Sequence, residues 1–590
     1  MDQSYRCISP TRPPKQPTIG KGDTVLDIKI INGLVADGSG APLRHENVGI
    51  RDGRIVDTGE ILEPAKRTVD ASDLVVAPGF IDVHTHFDAQ AFWDSTLSPS
   101  PLHGITTIVA GNCGFSIAPL DPVDGDYLMR MLARVEGMPI EALQMGVPWD
   151  WTTTADYLDR LDGKLTPNTG FMVGHSAIRR AVMHDDAVGH EATPDQIAAM
   201  QRLLHDGLAA GAMGFSSSWS RSHNDHDGNP VPSRHARQEE LLALSAVLSE
   251  HPGTSLEFLP GVAPFSPELF ELMAEMSRTA NRPLNWNVLA VYGRNAEVVD
   301  RQLAGSDQAA ELGGRVIALT LPDSLRFWIN FRSGFFLDIL HGWERLMALP
   351  DNEKLAMLRD PAGRAEMNRL AQLTEGPSRS IGHWAAYRIE ESDVPGARGR
   401  MVGQLAAEQG RDAWDVLADI VVADELRTVI SFPDVGQDDA SWEKRVSVWR
   451  DPRTLVGASD AGAHLDMIDS FSYATTLLAR AVRERSLLPL EEAVQLLSDA
   501  PARLYGLRDR GRIQPGSWAD VVIFDPASVG PGPISTRYDL PGGAGRIYGA
   551  AEGVEHVFVS GTEAVTGHEF TDARPGHMLR SGRDTYTVTP

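Results

Sequence analysis

The chain reads as an α/β protein, a (β/α)8 barrel inserted in a small β-sandwich built from both chain ends. Three observations carry that expectation. Apolar β-like runs alternate with helical stretches through the middle of the chain. Short-strand texture opens the chain and returns near its end. One apolar run, Pro78-Gly79-Phe80-Ile81-Asp82-Val83, leads into His84-Thr85-His86, and a barrel of this kind carries its chemistry where strands end.

At its N-terminal end, residues 1–23 are rich in proline and lysine and read as a disordered leader. Residues 24–76 are short β. Val25, Leu26, Ile28, Ile30 and Ile31 mark a strand, and residues 48–56 form a hairpin around Asp52-Gly53. Residues 506–590 resume this pattern, with a strand over 521–524 and a hairpin from Val554 to Gly561. The two ends are expected to pair, leaving 77–505 as the inserted barrel. Within it, strands are expected at 80–83, 105–109, 171–173, 212–215, 255–258, 284–289, 316–321, 429–432 and 455–458. That is one more than eight, so either 316–321 or 429–432 is the seventh. Helices are expected at 195–210, 239–249, 413–424, 473–485 and 490–498. Residues 323–400 break the rhythm. They read as a helical insertion rich in arginine and aromatics (Phe327, Trp328, Phe331, Phe335, Phe336), serving as a lid or as an oligomer contact.

Composition excludes several classes. The 590 residues hold 54 Lys and Arg against 80 Asp and Glu, a net charge of −26. Such a surface repels phosphate backbones and anionic lipid, so no nucleic-acid or membrane partner is expected. No apolar run is long enough to span a bilayer, and no secretory signal is evident. The two cysteines, Cys7 and Cys113, suit a reducing, cytoplasmic setting. A small-molecule substrate and a possible homo-oligomer are the expected partners.

Three elements carry the chemistry. His84 and His86 are two residues apart on a strand, so they share a face and can hold a divalent metal together. Cys113, in Gly111-Asn112-Cys113-Gly114 after the second strand, is a third ligand or a buried inert thiol. Asp460 follows the last strand in Ala458-Ser459-Asp460, where it can ligate the metal and accept a proton from water, or cap a helix. His464 lies one helical turn further on and reaches the substrate or the surface.

These motifs, with the split β-domain, resemble the amidohydrolase superfamily, and within it the D-aminoacylase (N-acyl-D-amino-acid deacylase) branch. His84-Thr85-His86-Phe87-Asp88-Ala89-Gln90, His103-Gly104-Ile105-Thr106-Thr107, Gly111-Asn112-Cys113-Gly114-Phe115, Val173-Gly174-His175-Ser176-Ala177-Ile178-Arg179 and Ala573-Arg574-Pro575-Gly576 are similar to that branch. The resemblance implies a distorted (β/α)8 TIM barrel, one or two zinc ions, and amide hydrolysis by metal-activated water. It implies His84 and His86 as metal ligands, Cys113 as ligand or bridge, and Asp460 as the base that later protonates the leaving amine.

The chain departs from the pattern at strands five and six, where the branch places ligand histidines. Here the stretches read Ser255-Leu256-Glu257-Phe258 and Asn285-Trp286-Asn287-Val288. Glu257 is then an oxygen ligand with Asn287 beside it, or the second site is lost; one zinc or other divalent ion is expected rather than two. The branch's substrate-holding lysine is also absent from this stretch. Arg221 and His223, in the loop after strand four, are candidates to replace it, and Asn287, His464 and Trp286 are further substrate contacts. The leading expectation is a metal-dependent hydrolase of a linear or cyclic amide. Lactone or ester hydrolysis, or non-hydrolytic C–C cleavage on the same site, is one alternative. A metal-poor scaffold subunit is another.

Overall fold

The computed structural model describes residues 25–261, 263–332, 336–432 and 435–590. The expected leader, Cys7 and Phe335 lie outside the described residues. Among those described, no helix is long and apolar enough to cross a membrane.

Both chain ends build one nine-stranded sheet. Its N-terminal strands are Leu26–Val35, Arg44–Arg51, Arg54–Gly59, Ala65–Asp70 and Val75–Pro78, and Val521–Phe524, Val554–Val559, Thr562–Thr566 and Glu569–Phe570 come from the other end. The seam is antiparallel, Val75–Pro78 against Val521–Phe524. The first hairpin turns at Asp52 and Gly53 with φ of 50° and 74°, the mirror-image turn that matches strand twist. Side-chain alternation gives the sheet two jobs. Val76, Val521 and Ile523 face a private core with Ile30, Ile50 and Phe558. Val75, Ala77, Val522 and Phe524 face the barrel core.

The barrel strands, in order, are Phe80–Thr85, Ile105–Ala110, Asn168–Phe171 continued as Val173–Gly174, Gly214–Ser218, Ser255–Leu259, Leu284–Trp286, Val316–Thr320 and Thr454–Val456. Every pair between neighbours is parallel. The third strand breaks at Met172, which divides the ladder into three- and six-stranded sheets and distorts the barrel. Closure comes from the segment after strand eight. Asp460 N–H donates to the His84 carbonyl (3.1 Å) and His86 N–H to that of Ala461 (2.8 Å). The seventh strand is therefore Val316–Thr320, which pairs with Thr454–Val456. The rival run, Val429–Ser431, leaves the barrel and pairs antiparallel with Trp328–Ile329 and Arg388–Glu391.

The insertion between strands seven and eight is thus not purely helical, and its body continues past residue 400 to that strand. Its helices include Trp343–Met347, Asp351–Arg359, Pro361–Gln372, Val402–Gln409 and Ala413–Ala423. Trp343, Trp384, Trp414, Tyr387 and Phe331 form a core of their own, with the Trp384 and Trp414 rings 4.7 Å apart. Aromatic rings in tilted and edge-on contact bury large areas against one another, which holds this core together. The insertion is pinned to the mouth. Trp328 N–H donates to Met467 O (2.7 Å) and Asn330 Nδ2 to Asp466 (2.9 Å), both just after Asp460.

Because that core is separate, Trp414→Ala is expected to loosen the insertion alone. The cost is about 3–5 kcal/mol. Amide exchange should accelerate across residues 336–432 while the barrel strands keep their protection. Uniform acceleration across both would show that the two cores are one cooperative unit.

Candidate active site

Strand one delivers His84 and His86 to the barrel mouth, both buried. His84 Nε2 lies 3.5 Å from Cys113 Sγ and 3.2 Å from Asp460 Oδ1. His86 Nε2 lies 3.6 Å from the same Asp460 oxygen. Donor atoms of His84, His86 and Cys113 all fall within 4.8 Å of one another. Ligands on a tetrahedral zinc-sized ion are separated by about 3.3–3.6 Å, so the 3.5 Å and 3.6 Å spacings match such an ion and the 3.2 Å one falls just short of it. The donor set, two imidazoles with a thiol and a carboxylate, suits a divalent transition metal.

Cys113 is placed by backbone geometry. Gly111, Cys113 and Gly114 have φ of 82°, 55° and 78°, a left-handed run that folds the chain back over the strand ends. A Cβ on Gly111 would sit 2.7 Å from the Met172 carbonyl, so only glycine fits there. Ser216 Oγ ties the loop at both ends, receiving Gly114 N–H (3.0 Å) and donating to Gly111 O (2.5 Å). Asn112 Nδ2 donates to the Thr85 and Val109 carbonyls, each at 3.2 Å. Cys113 N–H donates to Glu257 Oε2 (3.0 Å). The thiol is free and buried.

Asp460 also sits at positive φ, 53°. Asn287 Nδ2 donates to its Oδ1 at 2.9 Å, the same oxygen that faces both histidines. Its side chain keeps 26% of its surface open to the cavity. The segment that follows is a series of turns, so His464 does not lie on a helix. Its N–H donates to Glu136 O (2.5 Å) and it reaches the cavity wall by that route.

The electrostatics call for a cation. Burial pushes the Asp460 carboxyl up, but His84 and His86 outweigh it and hold the group well below the usual carboxylate range. Burial would lower His86; Glu136, Asp460 and Asp88 reverse that and raise it to about 9. Burial pushes Glu257 up to about 8 and Glu136 to about 7. The Cys113 thiol is pushed far up by burial and by Glu257, Asp460 and Glu136. A bound divalent ion offsets this crowding of negative groups and converts such a thiol to thiolate. One further sign agrees: Glu257 Oε1 is buried without a hydrogen-bond partner.

The expected site residues divide into two groups. His84, His86, Cys113, Asp460, Glu257 and Asn287 converge, and Glu257 faces the barrel interior rather than a helix. His223 and His464 line the cavity, with burial holding them at about 3 and about 4, so both are neutral near pH 7. Trp286 is a correction. It packs in the outer core, its ring 4.8 Å from that of Phe265, because strand alternation sends it away from Asn285 and Asn287. Arg221 is another; it is exposed and does not line the cavity. The insertion aromatics do not line it either. Glu136 went unrecognised in the sequence. It is buried, with Oε1 3.5 Å from His86 Nδ1, and it follows helix Gly125–Val135 with no motif around it.

The cavity above these groups is about 380 Å³, small-ligand size, with an apolar wall from Leu259, Val288, Leu289 and Ala290. A closed parallel barrel with this donor set at its mouth defines a metal-dependent hydrolase. The amidohydrolase family model matches residues 67–562, and the chain belongs to that family. It is 29% identical to a D-aminoacylase of Alcaligenes xylosoxydans xylosoxydans over 94% of this chain and 97% of that one. An N-acyl-D-glutamate deacylase of the same organism is 29% identical, over 94% and 96%. Among solved structures, a D-aminoacylase matches with TM-score 0.63 and 26% identity over 94% of this chain and all of that one. An N-acyl-D-glutamate deacylase of Bordetella bronchiseptica, complexed with zinc and a phosphonate mimic of the tetrahedral intermediate, matches with TM-score 0.62 and 27% identity over 94% and 99%. The chain is a metal-dependent hydrolase of C–N bonds other than peptide bonds.

Asn287 fixes Asp460 through one hydrogen bond, so Asn287→Ala should lower kcat by about 10- to 100-fold. Metal content, measured by elemental analysis, should stay unchanged, because the imidazoles and the thiol remain.

Proposed function

We propose that this enzyme hydrolyses a linear or cyclic amide with one divalent ion, zinc by donor preference, held by His84, His86, Cys113 and Asp460. The convergence of those four groups carries the reading. The ion, when bound, polarises the scissile carbonyl and lowers the pKa of water. Asp460 accepts the proton that water loses as its oxygen bonds to the acyl carbon. The same carboxyl then gives that proton to the leaving nitrogen as the C–N bond breaks, releasing an acid and an amine, or opening a ring. Asn287 keeps the Asp460 carboxylate in place during both transfers. Glu257 holds the Cys113 backbone from below, and its free oxygen supports the ion's charge. The buried cavity limits bulk water around the reacting bond. The zinc-bound relative supports the choice of metal.

Asp460→Asn is expected to cut turnover by about 10²- to 10⁴-fold while metal content stays near that of the parent protein. Full activity in that variant removes Asp460 from the proton relay. Protein purified without chelator should carry close to one equivalent of zinc by elemental analysis, and Cys113→Ser should reduce it. Less than about a tenth of an equivalent would instead favour the scaffold alternative, since structural and catalytic zinc sites hold metal tightly.

A further inference from the structure

We infer that the substrate is uncharged around its scissile amide and carries no free carboxylate; this rests on the amide-hydrolase reading above. The cavity's own charge argues for it. Glu136 and Asp460 line it, and Glu257 lies directly behind Cys113. Among the described residues, no lysine or arginine lines the cavity. A divalent ion is already matched by the Cys113 thiolate and the Asp460 carboxylate. Glu136 and Glu257 therefore add negative charge when ionised and nothing positive when protonated.

The arginines nearby lie outside the cavity lining. Arg134 lies on a neighbouring cavity and pairs with Asp338, and Arg221 is exposed. Arg234 donates to the His223 carbonyl (2.9 Å) and to Asn224 Oδ1 (2.7 Å). What the wall does offer is neutral hydrogen bonding, from the Ser220 and Ser222 hydroxyls, 2.8 Å from each other, beside the apolar Leu259, with Val288 and Leu289 also in the lining. A desolvated substrate carboxylate without a cationic partner loses several kcal/mol of hydration. A neutral amide loses far less and finds donors and acceptors at hand.

The test uses N-acetyl-D-phenylalanine and its N-methylamide, which differ only in that charge. With zinc-loaded enzyme, acetate release should be at least tenfold higher in kcat/KM for the N-methylamide. Preference for the acid, or equal rates, overturns the inference. Calorimetric titration of the zinc-loaded parent protein with N-methanesulfonyl-D-phenylalanine and its N-methylamide, which have no acyl group to release, reads selectivity without turnover. Tenfold tighter binding of the N-methylamide supports the inference even if neither N-acetyl compound is cleaved, in which case the hydrolase reading alone fails. Equal binding, tighter binding of the acid, or binding of neither overturns it. Ala290→Lys, which puts a cation on the half-exposed wall, should improve binding of the acid at least tenfold; no gain in a folded variant counts against the charge argument.

Discussion

The barrel closes through residues of its candidate site. Strand eight stops at Val456, and the ring is completed by backbone hydrogen bonds at Asp460 and Ala461 against His84 and His86. Those bonds hold the Asp460 carboxylate within 3.6 Å of both imidazoles. The left-handed backbone at Asp460 is sustained because the surrounding contacts over-determine it. A slip of one residue in that seam would break the ring and separate Asp460 from His84 and His86 together.

Around the seam the protein gathers buried acids around the imidazoles of His84 and His86, with no lysine or arginine lining the cavity among the described residues. Asp82, Asp88, Glu136, Glu257 and Asp460 are held within a few strands of one another, and burial raises the first four. A group of this kind is costly to fold unless a cation joins it. The same charge that draws in a divalent ion shapes what else can enter the cavity.

Strands five and six show how one frame takes up different chemistry. Where the resembled branch carries histidines, this chain carries Glu257 and Asn287. Neither is idle. Glu257 supports the Cys113 loop through its backbone N–H, and Asn287 orients Asp460. Parallel strand ends make such exchanges easy because each side chain reaches the mouth independently.

Local pattern was enough to reveal the strand carrying His84 and His86, the Asp52-Gly53 turn, the alternation that makes a barrel, and the shared β-domain of the two ends. Each depends on neighbours in sequence, where periodicity and turn chemistry act directly. Trp286, expected against the substrate, faces outward instead, because an inward Asn287 obliges the residue before it to do so. The seventh strand was not legible: residues 316–321 and 429–432 have the same apolar texture, and only their pairing partners tell them apart. Glu136 was equally silent, because its 3.5 Å approach to His86 joins segments with no local relation. Sequence alone determined which groups could do chemistry and on which elements they ride. Tertiary structure decided which of them meet, because closing a ring of strands brings together side chains whose separation along the chain carries no information about their distance in space.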